Sequence, residues 1–294
     1  MDLQWSVLQS MEVFDMVFSE KLLVTRHSEC GPLWYRIAFE AHDLAAEAVP
    51  GQFFMLGVGG ETDPFLRRPM SLYRFVRDNN GKVTGFELLY RVVGRGTELL
   101  SKVRVGEMVD VLGPLGHGFS VAEDASRHCI VTGGTGVAPM AALAEEMLSS
   151  GIKPEVLYGA RTSTELVCRQ DFEQPDVDLV LFTDDGSLGV KGVVTKGLED
   201  LLSPAGGNEE GESGTAVYAC GPHGMLAAVA ALAHRAGVPC QVSLEARMGC
   251  GLGACMSCAV RAVETGPAGE PRYVRVCLQG PVVDSRRILW ETET

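Results

Sequence analysis

A chain of 294 residues is too long for one small core and fits two domains with an appendage. Its formal net charge of −13 argues against nucleic acid as a partner, because phosphate binding needs clustered Lys and Arg. The start, Met1-Asp2-Leu3-Gln4-Trp5, lacks the basic and apolar regions of a signal peptide, and no stretch reaches the ~20 apolar residues of a membrane span. Nine cysteines on such a chain predict a reducing, cytoplasmic setting with no membrane partner.

Residues 1–13 form an N-terminal extension to which no role is assigned. Residues 14–122 read as strands by period-2 alternation. Leu33, Tyr35, Ile37 and Phe39 are expected on one face, and Phe86, Leu88, Tyr90 and Val92 repeat the pattern. Pro50-Gly51 and Asp78-Asn79-Asn80-Gly81 punctuate the segments as turns. Short strands joined in this way predict a small antiparallel β barrel. Within it, Arg68-Pro69-Met70-Ser71 sets a guanidinium three residues before a hydroxyl, and guanidinium binds phosphate oxygens bidentately. Two ordinary surface arginines, Arg67 and Arg68, are the competing reading. Gly94-Arg95-Gly96-Thr97 then predicts a helix start with Thr97 as N-cap. Together the two segments suggest a clamp for a flavin diphosphate.

From residue 123 the rhythm changes. Cys129–Thr132, Val156–Tyr158, Leu179–Phe182 and Ala216–Ala219 are apolar strands with helical segments between them, the first helix being the Ala-rich run from Pro139 to Leu148. That alternation over 123–242 predicts an α/β domain with a parallel sheet. Gly133-Gly134-Thr135-Gly136 joins the first strand to its helix, where glycines let a nucleotide approach the backbone. Pro139 occupies the place of the third glycine of the dinucleotide fingerprint, so a tight turn without a ligand is the rival reading. Asp184 and Asp185 end another strand, and acidic groups near a ribose favour NAD over NADP; a solvated turn explains them equally well. Residues 203–214 lack apolar content and are expected to be a surface loop.

The last segment, 243–294, carries the most specific signal. Cys250, Cys255 and Cys258 are spaced C-x4-C-x2-C, and Cys277 follows at a distance. This is the plant-type ligand pattern of a [2Fe–2S] cluster. A structural zinc site is the alternative, but zinc modules show two close pairs, whereas here three ligands crowd one loop. Cys30, Cys129, Cys168 and Cys240 are assigned to cores, where free Cys is commonly buried.

Taken together, these segments resemble the ferredoxin reductase superfamily, and within it the electron-transfer subunits of B-type, NAD-linked dihydroorotate dehydrogenases. The resemblance covers nearly all of the chain beyond the extension. It implies FAD contacts at Arg68, Pro69, Met70, Ser71, Leu89, Tyr90, Arg91, Gly96 and Thr97, nucleotide contacts at Gly134, Thr135, Gly136, Asp184 and Asp185, and cluster ligands at Cys250, Cys255, Cys258 and Cys277. It also places Cys220 near flavin and nicotinamide. One departure is Met70, which stands where the wider superfamily has an aromatic residue against the flavin. The implied function is oxidation of dihydroorotate, in pyrimidine biosynthesis, on a separate FMN-containing catalytic subunit, two copies of each subunit forming a heterotetramer. Electrons would pass through [2Fe–2S] and FAD to NAD+, the flavin converting one-electron into two-electron chemistry. A flavin and iron–sulfur subunit of a ferredoxin:NADP+ transhydrogenase or sulfide dehydrogenase is the runner-up.

Overall fold

The computed structural model describes residues 18–59, 63–203 and 214–290. The N-terminal extension and nearly all of the loop at 203–214 lie outside the described residues. Six strands form a closed antiparallel barrel: β1 (Phe18–Gly31), β2 (Trp34–Glu40), β3 (Phe53–Gly57), β4 (Arg68–Arg77), β5 (Val83–Arg91) and β6 (Met108–Leu115). They are hydrogen-bonded in the order β1-β2-β5-β4-β3-β6. Ile37, Phe39, Phe86 and Leu88 share one buried cluster, as the alternation predicts, and Leu72 joins them there. Phe54 and Phe86 stack face to face within it, with centroids 4.0 Å apart.

One residue of the predicted faces lies elsewhere. Leu33 is exposed in the turn between β1 and β2, with φ at 65°, a left-handed conformation that ends the strand pattern. Val92 follows the end of β5 and still packs on the barrel cluster, and its amide donates to the Leu33 carbonyl (2.8 Å). On β5, Leu88 belongs to the barrel interior while its neighbour Leu89 packs with the second domain. Both faces of this strand are therefore apolar, because the barrel is covered on one side.

The cover is the helix Val137–Ser149, which packs on β4 and is buried around most of its circumference. Such a helix must be apolar on nearly every face. It belongs to a sheet of seven strands in the order β10-β9-β8-β7-β11-β12-β15. Six are parallel: β7 (Arg127–Gly133), β8 (Glu155–Ala160), β9 (Asp178–Thr183), β10 (Val190–Lys191), β11 (Thr215–Cys220) and β12 (Cys240–Ser243). The four predicted strands of the second domain lie within β7, β8, β9 and β11. Helices Val194–Leu202 and His223–Ala236 pack against each other.

After β12 the chain leaves the sheet, makes the cysteine loop and the hairpin β13 (Ala259–Thr265) and β14 (Pro271–Arg275), and returns as β15 (Val282–Asp284), antiparallel to β12. Phe53, Met55, Leu112 and Leu115 of the barrel share one core with Cys258, Val274, Val276 and Cys277 of this excursion and with Val217 and Val242 of the sheet.

Removing one ring of the barrel stack tests how far the core depends on it. Phe54→Ala is expected to lower unfolding free energy by about 3–5 kcal/mol, the usual cost of a large-to-small change in a packed core. Urea denaturation of the two proteins measures this, and a near-zero difference would show that the barrel does not rest on the Phe54–Phe86 contact.

Candidate functional site

A cavity of about 530 Å³ opens on the barrel. Its walls include Arg68, Pro69, Met70 and Ser71 from β4, Leu89, Tyr90 and Arg91 from β5, and Thr97. Gly96 does not line it but supports it from behind: the Arg68 guanidinium lies where a Cβ on Gly96 would stand. Among the described residues Arg68 has no carboxylate partner; its Nη1 donates to the Leu66 and Arg67 carbonyls (2.5 and 3.4 Å). Arg67, by contrast, is committed to Asp110 through two bonds of 3.0 and 2.7 Å. The pair of arginines thus divides into one structural ion pair and one cation free for a phosphate.

Thr97 does not cap its helix in the expected way. The helix begins at Arg95 with Gly94 as N-cap, and Thr97 sits inside its first turn. From there its hydroxyl accepts from the amides of Val93 (2.9 Å) and Gly94 (3.2 Å), so it closes the turn backwards. Tyr90 is also fixed. Its hydroxyl bonds His27 Nε2 at 2.8 Å, while His27 Nδ1 lies 2.7 Å from the Val103 carbonyl. A carbonyl only accepts, so Nδ1 carries the proton, and the Tyr90 O–H donates to Nε2. Burial pushes the Tyr90 pKa upward. Met70 and Tyr90 both face the cavity, with the Tyr90 ring stacked on Tyr35 at 5.7 Å.

A second cavity, about 620 Å³, lies along the carboxyl edge of the parallel sheet. Gly134, Thr135 and Asp184 line it, together with Arg161, Glu165, Pro222 and Met225. Three other expected residues are set apart from the walls. Gly136 packs against the Cys220 carbonyl so closely that no Cβ fits. Asp185 accepts from the Ser187 amide (2.9 Å) and hydroxyl (2.6 Å), and these bonds hold its carboxyl below its ordinary pKa. Cys220 is buried and lines neither cavity, and burial raises its pKa. The two cavities share Arg91, Thr135 and Glu245, and the Thr135 hydroxyl donates to the Glu245 carboxylate at their junction.

The cysteine loop adjoins the barrel cavity. Met248 lines that cavity, and the loop starting at Cys250 presses Gly251 against Met55 of β3 and Leu115 of β6. Gly251 and Gly253 have φ of 74° and 76°, a backbone that glycine adopts without cost. The sulfurs form two pairs. Cys258 and Cys277 Sγ lie 3.3 Å apart; the Cys255 thiol neighbours that of Cys250, whose Sγ also accepts from the Cys255 amide at 3.5 Å. Among the described residues, no three His, Cys, Asp or Glu side chains converge as around a single ion. Two thiolate pairs are the donor set of a two-iron cluster, one pair for each iron.

Further amides point at the same sulfurs: Leu252 N–H at Cys250 Sγ (3.3 Å), Gly253 N–H at Cys277 Sγ (3.2 Å) and Cys277 N–H at Cys258 Sγ (3.5 Å). Such bonds stabilise the charge of a cluster and set its potential. The Ser257 hydroxyl, 3.1 Å from Cys255 Sγ, is the main cause that lowers the Cys255 thiol to about 6. Burial, then the neighbouring Cys258 thiol, raises Cys277 to about 12, so a bound metal must supply the charge that keeps it a thiolate. Donor set, amides and glycine turns all fit a [2Fe–2S] cluster.

Sequence reasoning missed Leu244, Glu245, Ala246, Arg247 and Met248, all on the wall of the barrel cavity. The available signal was position: they bridge the carboxyl end of β12 and the first cluster cysteine.

Comparison with known proteins agrees with this arrangement. Residues 245–289 match the iron–sulfur cluster binding domain of dihydroorotate dehydrogenase B, and residues 130–231 match the oxidoreductase NAD-binding domain. The dihydroorotate dehydrogenase B (NAD(+)) electron transfer subunit of Desulforamulus reducens is 38% identical over 94% of this chain and 99% of its own length. The corresponding subunit of a Geobacillus species is 36% identical over 93% of this chain and its whole length. The chain belongs to the family of electron transfer subunits of dihydroorotate dehydrogenase B. Among solved structures, an NADH-dependent reduced ferredoxin-NADP oxidoreductase aligns with a TM-score of 0.74 at 26% identity, over 92% of this chain and 90% of that one. A ferredoxin NADP+ reductase from Neisseria gonorrhoeae, at 17% identity and a TM-score of 0.60, covers 75% of this chain and 92% of its own and shares the fold. The runner-up reading thus shares the architecture, while the relatives of higher identity carry the dihydroorotate dehydrogenase name.

Two substitutions separate the sites. Arg68→Ala should weaken FAD binding roughly ten- to hundredfold, since a charge-assisted bond contributes ~1.5–3 kcal/mol; flavin retention on dilution measures it, and unchanged retention would exclude the clamp. Cys255→Ser should abolish iron–sulfur absorption in the visible spectrum while leaving the flavin bands, because the two groups draw on different segments. Loss of both together would show that the sites fold as one unit.

Proposed function

We propose that this chain receives electrons from the oxidation of dihydroorotate on a partner subunit and delivers them to NAD+. The observation that carries the reading is the order of the sites: the two cavities meet at Arg91, Thr135 and Glu245, and Met248 connects the barrel cavity to the cysteine loop. When bound, FAD exchanges hydride with a nicotinamide and single electrons with a [2Fe–2S] cluster, which is why it belongs between them.

The chain's own residues bind and orient. Cys250, Cys255, Cys258 and Cys277 hold the cluster, and the glycine turns bring amides to its sulfurs. Arg68 takes the FAD diphosphate, with Ser71 and Thr97 on the same wall; Pro69, Met70, Leu89, Tyr90 and Arg91 shape the rest, and Gly96 gives Arg68 its room. Gly134 and Thr135 meet the dinucleotide at the end of β7, and Asp184 meets its far ribose at the end of β9, which favours NAD over NADP. Gly136 and Cys220 act from behind, holding the turn that carries Thr135. Asp185 shapes the turn after β9.

The partner is an FMN-containing catalytic subunit, two copies assembling with two of this chain. Two features support docking at the cluster loop. Leu252 and Met256 are exposed apolar side chains on it, 41% and 50% accessible, and Cys255 beside them is exposed. No helix among the described residues is long and apolar enough to cross a membrane; the reading is of a cytoplasmic complex.

The chain loaded with its cofactors should oxidise NADH with an artificial acceptor, yet oxidise dihydroorotate only when the FMN subunit is added. Leu252→Asp or Met256→Asp should abolish the complex in size-exclusion chromatography by burying an unpaired charge, and leave NADH oxidation intact. Oxidation of dihydroorotate by the chain alone would overturn the reading. So would turnover supported by a ferredoxin while no FMN subunit co-purifies.

A further inference from the structure

The nucleotide cavity is lined by more acid than base. Its walls carry two cations, Arg91 and Arg161, and three carboxylates, Glu165, Asp184 and Glu245. Both cations are claimed. Arg91 comes from the barrel side and lies over the Trp34 ring at 6.0 Å. Arg161 makes a two-pronged pair with Glu165: Nε donates to Oε2 at 3.0 Å and Nη2 to Oε1 at 2.5 Å. That fork is what a guanidinium offers to a carboxylate or, equally, to a phosphate.

The backbone sets the pair at a particular place. Arg161 directly follows β8, which lies between β7 and β9 in the sheet. It therefore stands between the glycine turn at the end of β7 and Asp184 at the end of β9. The amides of Asp184 and Asp185 donate to the carbonyls of Ala160 (3.1 Å) and Arg161 (3.2 Å). Glu165 belongs to a single helical turn, Ser163–Glu165, and that turn is braced. The Ser163 amide donates to the Ser187 hydroxyl at 2.8 Å, and the hydroxyl donates to Asp185 at 2.6 Å. Lys191 of β10, also near the end of β9, packs along Gly186 and does not line the cavity.

A dinucleotide with its far ribose at Asp184, the reading on which this inference rests, presents its 2′ position on the same wall as the ion pair. NAD carries a hydroxyl there and NADP a phosphate. Asp184 can accept from the hydroxyl, but it leaves the neighbouring guanidinium in place. We propose that Glu165 determines the choice of nucleotide, by holding Arg161 away from a 2′-phosphate and by adding a negative charge that repels it. Exposed ion pairs of this kind contribute little to stability, so the effect of this one is on the ligand. The bond from Arg161 holds the Glu165 carboxyl below its ordinary pKa, and the pair stays charged at neutral pH.

The test uses the holoprotein and two ligands that differ only at the 2′ position, adenosine 5′-monophosphate and adenosine 2′,5′-bisphosphate, with binding read by calorimetry. Oxidation of NADH and NADPH with an artificial acceptor gives the second readout. Glu165→Gln keeps the length of the side chain and removes its charge. It should tighten the bisphosphate relative to the monophosphate by about tenfold, the scale of one charge-assisted bond. The ratio of kcat/KM for NADPH to that for NADH should rise with it. Adding Arg161→Ala to Glu165→Gln should cancel both gains. Glu165→Gln with unchanged ratios, or with both ligands tightened alike, would overturn the proposal. Gains that persist in the double variant would overturn the part given to Arg161. A wild-type protein that prefers NADPH would overturn the NAD reading itself, and this shows before any variant is compared.

Discussion

The arrangement of the whole protein depends on one short piece of backbone, the path from the end of β12 to Cys250. It is pinned at both ends. The Leu244 amide donates to the Pro281 carbonyl at 2.8 Å, and β15 lies antiparallel on β12, so the excursion leaves and rejoins the sheet on neighbouring strands. The barrel holds it too, through the His117 amide on the Gly280 carbonyl (2.6 Å) and through Met55 and Leu115 under Gly251. A segment tethered in this way cannot drift from the cavities that it lines. Electron transfer needs its groups close together, and this tether supplies the closeness.

Charge is distributed in keeping with that path. The chain is acidic overall, yet the barrel cavity gathers Arg67, Arg68, Arg91 and Arg247. Arg67 is spent on Asp110, and Arg91 lies over the Trp34 ring at 6.0 Å, which leaves Arg68 and Arg247 as the cations with no acidic or aromatic claim on them among the described residues. In the nucleotide cavity Arg161 is held by Glu165 at 3.0 Å, with Asp184 on the same wall. Selective pairing, rather than the number of basic residues, decides where an anion is welcome.

How much was legible in the sequence follows from how local each feature is. The barrel strands and the parallel strands repeat a short period, and Ile37, Phe39, Phe86 and Leu88 lie in the core that this period predicts. The spacing of Cys250, Cys255 and Cys258 is also local, since the three share one loop. Leu33 broke the pattern because a turn needing a positive φ outweighed its hydrophobicity. Thr97 sits inside its helix rather than at the cap because its hydroxyl reaches backwards. Asp184 and Asp185 are neighbours, yet one faces the cavity and the other closes its own turn, a difference of side-chain direction that residue type does not encode. The wall from Leu244 to Met248 was invisible for another reason. Its residues are ordinary, and only the return of β15 to the sheet, which is a long-range event, sets them against the barrel.

The central claim is that flavin and cluster both rest against the Leu244–Cys258 path, with the nicotinamide beyond Thr135 and Glu245. A crystal structure of the chain loaded with FAD and its cluster tests this most directly. The flavin ring should lie along Leu244 to Met248, between the Thr135–Glu245 contact and a cluster held by Cys250, Cys255, Cys258 and Cys277. A flavin ring on another wall of the barrel, or a metal centre that leaves one of these four cysteines free, would contradict it.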